Sequence, residues 1–376
     1  MHWNGEGGNI KPTDVFIVGG GPAGIAAALA ARQRGLAVTV ADSCIPPIDK
    51  SCGEGLMPDS IAALQRLGVT IPPMEACRFR GIRFASSGLS VEAAFPSSSG
   101  FGVRRTNLHR ILIEHAEQAG VQFLWRTVVT GLHADGVLMQ NKLVPARWII
   151  GADGGGSQVR RWAGLSLHRK QDQRFAFRRH YRIAPWSEFI ELHWGITCQI
   201  YVTPVSAEEV CIALISRNPR LRLDEALTEF PELSERLRNV GHVSKERGAV
   251  SVTRKLARVC NQRVALIGDA SGSVDAITGE GLCLAFNQAS LAAKCLASGS
   301  LDAYQAGHRA LTRRPAIMAR LMLLLGHREK LRARMMQSFV KEPKLFARML
   351  AAHVGMATSA KIAVNGFALG WNLLTV

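Results

Sequence analysis

Residues 15–24 read VFIVGGGPAG, a short apolar run that breaks into glycines and leads into the alanine-rich stretch 25–34. Val15 to Val18 has the length and side chains of a strand buried on both faces. Gly19, Gly21 and Gly24 fill a GxGxxG pattern, with Pro22 and Ala23 between the second and third glycines. The first glycine permits the tight turn and the second lets a diphosphate approach the backbone. The third allows close packing of helix on strand, and the start of the helix faces the negative charge. A second apolar run, residues 36–41, ends at Asp42, 23 positions after Gly19. A carboxylate there accepts hydrogen bonds from a ribose 2′-OH and repels a 2′-phosphate. Strand, helix and spaced acid together read as a dinucleotide-binding βαβ unit, for NAD or for FAD.

Two later segments bear on that choice. Residues 149–161 read IIGADGGGSQVRR, and residues 266–281 read LIGDASGSVDAITGEG. With the first motif, in this order, they resemble the p-hydroxybenzoate hydroxylase-like flavoproteins, the group A monooxygenases and their geranylgeranyl reductase relatives. The resemblance spans roughly residues 13–300 and implies FAD. Asp153, Gly154, Ser157 and Arg160 match the family's second fingerprint, which supports the FAD diphosphate and the approach of nicotinamide. Gly268 and Asp269 match the third, which implies that Asp269 binds the ribityl hydroxyls or the diphosphate region. Gly279, Gly281 and Leu282 fall where the family turns into a helix whose amides face flavin N1 and O2. Arg105, adjacent to Arg104, matches an arginine that reaches the diphosphate. No second GxGxxG unit is present, so NADH or NADPH is expected to bind transiently over the flavin domain, as in the resembled monooxygenases.

Composition fits a folded protein with a substantial core: 376 residues, 47% hydrophobic and 20% charged. Eight scattered cysteines without a CxxC pair suit a reducing cytoplasm and imply no metal site. No apolar signal core opens the sequence, and a cytoplasmic location follows as the expectation. The net charge of +17 is concentrated late. Residues 309–348 hold eleven Lys or Arg against two Glu, interleaved with aliphatic and Met/Phe positions and without nucleic-acid-binding motifs. That pattern excludes nucleic acid as the favoured partner. It fits first a helical cap with a solvated basic face, and second a surface for peripheral contact with anionic membrane. The charge-free stretch 362–376 is too short to span a bilayer.

The expected architecture is α/β: a Rossmann-like FAD-binding domain, an inserted β-sheet substrate domain and a helical C-terminal part. The FAD domain takes residues 13–164 and 261–300, the mainly β domain 165–260, and the basic, apolar helical region 301–376. Residues 189–194, 198–203 and 210–215 read as strands. In the resembled family a sheet of this kind floors a hydrophobic substrate pocket. His180, His193, Trp194, Gln199 and Tyr201 are its polar and aromatic members, of which alternation lets at most half face the pocket.

Lys50-Ser51-Cys52-Gly53-Glu54-Gly55 resembles the KxCG-type segment that lies beside the isoalloxazine in geranylgeranyl reductase relatives. Cys52 and Glu54 are therefore candidate catalytic residues, although Glu54 stands where the family usually has a second glycine; Tyr201 of the substrate sheet joins them as a base able to deprotonate a phenol. The leading reading is an NAD(P)H-dependent monooxygenase acting on a hydrophobic aromatic, polyketide or isoprenoid-like substrate. A carbon–carbon double-bond reductase is the alternative, favoured by the third fingerprint, and a non-catalytic flavin-binding redox sensor comes third.

Overall fold

The computed structural model describes residues 12–140 and 142–356. The expectation for the charge-free stretch 362–376 lies outside them. Its first unit is a sheet built around the strand Thr13–Val18, with Val15, Phe16 and Ile17 fully buried. This strand pairs in parallel with Val38–Ala41 on one side and Lys142–Gly151 on the other. Gln122–Leu124 and Val264–Leu266 extend the sheet in parallel, and Cys260–Asn261 closes one edge antiparallel. The helix Pro22–Arg32 packs on the sheet and against the helices Arg105–Gln118 and Gly281–Ala297. Six alanine or glycine residues line the buried side of the first helix, which lets it lie close.

The second unit is a seven-stranded sheet in the order Arg247–Leu256, His168–Tyr181, Val210–Ser216, Cys198–Pro204, Phe189–Trp194, Gly81–Ser86, Leu89–Ala94. The three strands read from the middle of the sequence form, each within one residue of its expected end. The last two strands come from inside the stretch assigned by sequence to the nucleotide domain. Gly81–Ser86 joins Phe189–Trp194 in parallel, which closes the sheet across more than a hundred residues of chain. A small third sheet, Gly55–Leu56, Gly100–Gly102 and Cys77–Phe79, bridges the two units.

The C-terminal part is helical: Asp302–His327, Glu329–Lys341 and Pro343–His353. The last two pack on each other and on the strand Leu89–Ala94. Met335, Met336, Phe339, Leu345, Phe346 and Leu350 bury themselves there with Phe84, Val91 and Trp194. The basic region is thus a cap on the core. Among the described residues no helix is long and apolar enough to cross a membrane.

Candidate active site

The glycine motif has the shape its chemistry requires. Gly19 adopts a left-handed φ of 110°, and a Cβ there would sit 2.4 Å from the Ala152 carbonyl oxygen. A Cβ on Gly24 would sit 1.9 Å from the Gly19 oxygen, so helix and strand touch through bare backbone. Gly21, at the helix N-cap, has nothing within 4 Å of an added Cβ. The open side of the loop is where a diphosphate would meet the helix N-terminus. Asp42 ends the second strand and accepts hydrogen bonds from the Gly20 N–H at 2.7 Å and the Cys44 N–H at 2.8 Å. It therefore braces the loop.

The second and third motifs are tied together by one arginine. Asp153 accepts the Ser157 hydroxyl at 2.5 Å and the Gln158 N–H at 2.6 Å, capping the short helix Gln158–Trp162. Arg160 on that helix donates to the Gly155 carbonyl at 2.8 Å and the Ala270 carbonyl at 3.0 Å, next to Asp269. Gly268 takes φ 56° and Gly279 φ 68°, the left-handed turns that lead into the helix starting at Gly281, whose first turn includes Leu282. Asp269 is half-exposed and pairs with Lys50 at 3.1 Å.

Arg104 and Arg105 separate cleanly. Arg104 is spent on Glu209 at 2.6 Å. Arg105 is buried, its Nε has no hydrogen-bond partner, and burial lowers its pKa, with Cys52 and Asp269 acting against that. A buried guanidinium with an unpartnered Nε, on a helix tied to the glycine turn by His109 Nε2 at 2.7 Å from the Gly20 carbonyl oxygen, suits a bound phosphate. The residues present fit FAD.

Glu54 explains how a non-glycine occupies the family's glycine position. It keeps the left-handed φ, 59°, which costs about 1 kcal/mol for a side-chain-bearing residue. Its buried carboxylate has two strong partners: Oε1 accepts the Arg105 N–H at 2.8 Å, and Oε2 lies 2.6 Å from His180 Nε2. The first of these caps the helix Arg105–Gln118, whose own N-cap side chain makes no cap. His180 Nδ1 lies 3.1 Å from the Arg178 guanidinium. A guanidinium only donates, which places the ring proton on Nε2, toward Glu54. Cys211 Sγ joins Glu54 and His180 in a group of metal-type donors within 4.8 Å. Glu54 and His180 already bond to each other, and Arg178 sits 3.9 Å from Glu54. The group is a hydrogen-bond network bordered by a cation, which is unfavourable for a metal ion.

Register decides which sheet residues meet the nucleotide unit. His180 pairs with Cys211, Arg178 with Ala213, and Tyr201 with both Ala213 and Leu192. One face thus presents Arg174, Arg178 and His180, then Gln199 and Tyr201, then Leu192 and Trp194. Four of the five polar and aromatic sheet residues share this face, more than the half expected, because they come from different strands in matched register. His193 takes the other face, with Glu191 at 2.8 Å and Phe230 edge-on. Tyr201 donates its hydroxyl to the Ile277 carbonyl at 2.7 Å, and burial raises its pKa. It stands here as a neutral donor locking the sheet to the turn before Gly281.

Cys52 is partly buried, and desolvation raises its pKa, with Arg105 opposing. Its sulfur accepts the Glu54 N–H at 3.4 Å. Sequence reading missed three buried partners: Arg178, Arg174 with Asp275 at 3.4 Å, and His353 from the last helix. The alternation Arg174, Ala176, Arg178, His180 was a legible signal for the first two. Nothing local announces His353. Its Nδ1 and Glu280 Oε2 lie 3.8 Å apart, both buried and without hydrogen-bond partners. Burial raises Glu280 to about 8, and burial with Arg314 lowers His353 to about 4.

The chain is 31% identical over 317 residues to a menaquinone reductase of Mycobacterium tuberculosis, covering 77% of each chain. It is 26% identical over 327 residues to a ubiquinone hydroxylase of Neisseria meningitidis, covering 78% of this chain and 70% of that one. A flavoprotein/dehydrogenase of Cytophaga hutchinsonii has the same fold, with a TM-score of 0.79 at 18% identity over 92% of this chain and 93% of that one. Residues 12–312 match the FAD binding domain family. The chain belongs to that family, the p-hydroxybenzoate hydroxylase-like FAD-dependent oxidoreductases.

Proposed function

We propose that this protein is a reductase that hydrogenates a carbon–carbon double bond of a hydrophobic, prenyl-quinone-type lipid, with NADH or NADPH as the reductant. The observation that carries this reading is the protonation pattern of the sheet face. A phenol hydroxylase profits from a base that deprotonates its substrate. Tyr201 is held neutral and hydrogen-bonded to Ile277, and His180 directs its ring proton at Glu54. What lies against the face is a thiol kept protonated by burial, Cys52, whose carbonyl oxygen is 3.9 Å from Cys211 Sγ on the strand Val210–Ser216. Bound FAD would supply hydride. One alkene carbon receives the hydride and the other receives the Cys52 proton, which solvent then replaces. Gly55 lies against the Ile190 side chain, so the Cys52 loop and the apolar face are in contact. Arg105, Asp153 and Asp269 would hold the cofactor, and Glu54 positions the loop. The similarity to a menaquinone reductase supports the substrate class.

Hydroxylation of the same kind of substrate is the second reading, favoured by the similarity to a ubiquinone hydroxylase. One experiment separates them: a prenylated naphthoquinone and NAD(P)H are incubated with the FAD-loaded protein, with and without oxygen, and the product is weighed by mass spectrometry. Double-bond reduction proceeds without oxygen, leaves two added hydrogens on the side chain after the ring is reoxidised in air, and is lost in Cys52→Ala. A product that carries one added oxygen and forms only in air overturns the reductase reading.

A further inference from the structure

The C-terminal cap carries more positive charge on its outer side than the fold uses. On the helix Asp302–His327, Arg313, Ile317, Arg320, Leu324 and His327 recur every three or four positions, and all are exposed. That spacing places them on one face. The opposite side, with Pro315, Ala319 and Met322, is buried. The helix Glu329–Lys341 exposes Lys330, Arg334, Val340 and Lys341, and the helix Pro343–His353 exposes Lys344 and Arg348. Because these two helices lie side by side on the strand Leu89–Ala94, their outer faces are neighbours.

Ile317 is 58% exposed, Leu324 47% and Val340 44%, so aliphatic side chains stand among the bases. Glu329 and Glu342 are the sole acids between residues 303 and 356, and Glu342 already faces Arg348 at 3.9 Å. Among the described residues Arg313, Arg320, Lys330, Arg334, Lys341 and Lys344 have no ion-pair partner.

We propose that this outer face of the three C-terminal helices docks on an anionic lipid bilayer surface. Bases interleaved with aliphatic residues match phosphate headgroups above an acyl boundary. A second copy of the chain would bring like charges together. Residues 357–376 contain one Lys and no Asp or Glu, so they cannot neutralise the face. Nucleic acid would meet the charge but would leave the aliphatic side chains unmatched, and among the described residues no aromatic side chain is exposed there for base stacking. Charge and exposure define this face, independent of the reaction proposed above.

The test is sedimentation of the full-length, FAD-loaded protein with vesicles of phosphatidylglycerol and phosphatidylcholine, and with phosphatidylcholine alone. Binding is expected to the anionic vesicles at 0.1 M salt, to weaken steeply at 0.5 M, and to be slight on neutral vesicles. The triple variant Lys330→Glu, Arg334→Glu, Lys344→Glu should bind at least about 100-fold more weakly, from roughly five-fold per base. A control reversing three exposed bases elsewhere, Arg182, Arg220 and Lys245, should bind within a few-fold of the parent. Flavin absorbance and melting temperature verify that both variants are folded. Leu324→Gln should weaken binding by about ten-fold if the aliphatic residues enter the interface. The proposal is overturned if the two triple variants lose binding equally, if neutral vesicles bind as well as anionic ones, or if duplex DNA is bound while anionic vesicles are not.

Discussion

Replacing Glu280 with Gln should change how stability depends on pH, with a sign that the structure dictates. Glu280 is 4% exposed, at the N-cap of the helix Gly281–Ala297, and burial raises it from 4.5 to about 8 against the pull of Arg314, 3.7 Å away. Asp59 adds to the rise, and His353 faces the carboxyl from the last helix. The folded state therefore holds a proton that the unfolded chain gives up between pH 4.5 and 8. Stability from this group is fully present below pH 4.5 and falls as pH rises to 8. At 1.36 kcal/mol per pKa unit, the penalty is about 1 kcal/mol at pH 5 and about 3 kcal/mol at pH 7. Glutamine keeps the shape and cannot ionise. His353, lowered from 6.5 to about 4, acts oppositely: its neutral folded form makes stability rise with pH between 4 and 6.5. That contribution is common to both proteins, so the difference between them isolates Glu280. Denaturant unfolding of wild type and Glu280→Gln in excess FAD, from pH 5 to 8, should show the variant gaining about 2 kcal/mol relative to wild type by pH 7. Parallel curves across that range would refute the reasoning, because they would mean that Glu280 is ionised in the fold.

Two further outcomes are expected. Arg105→Met should weaken FAD binding by at least ten-fold in fluorescence titration while Arg104→Met changes it little, because Glu54 caps the backbone of residue 105 whatever its side chain; the reverse order would reassign the phosphate contact. Tyr201→Phe should lose roughly 1–2 kcal/mol of stability, with the Ile277 carbonyl left bare, and keep turnover within a few-fold; a hundred-fold loss of turnover in a folded variant would give the phenol a chemical role.

The nucleotide unit was legible because its constraints are local. A GxGxxG turn, a strand before it and an acid at the end of the next strand are all set by backbone geometry within thirty residues. The same holds for the three central strands of the second sheet, whose apolar and β-branched runs differ visibly from the helical stretches around them. What stayed hidden depends on contacts between distant segments. Nothing in the sequence of Gly81–Ser86 names Phe189–Trp194 as its neighbour. Glu54 reads as a departure from a glycine pattern. Only the folded chain shows it as the cap of a helix fifty residues away and the partner of His180. Cys52 was singled out by the resemblance of its loop and Tyr201 by residue type, yet their protonation is decided by burial that no spacing encodes. The basic C-terminal stretch had two readings, and packing of its apolar side on Phe84 and Val91 shows the cap while leaving the outer charge unspent.

The parallel pairing of Gly81–Ser86 with Phe189–Trp194 has a consequence for how this protein is made and altered. A ribosome delivers the hairpin Gly81–Ala94 long before its partner strand exists, and the strand Val264–Leu266 that extends the nucleotide sheet comes later still. Each unit waits on chain belonging to the other, so they reach completion together. Residues 165–260 are therefore not a cassette: transplanting them alone into a relative would leave a sheet with a missing flank. New substrate specificity has to arise by substitution within the woven whole, or by exchange of both segments at once.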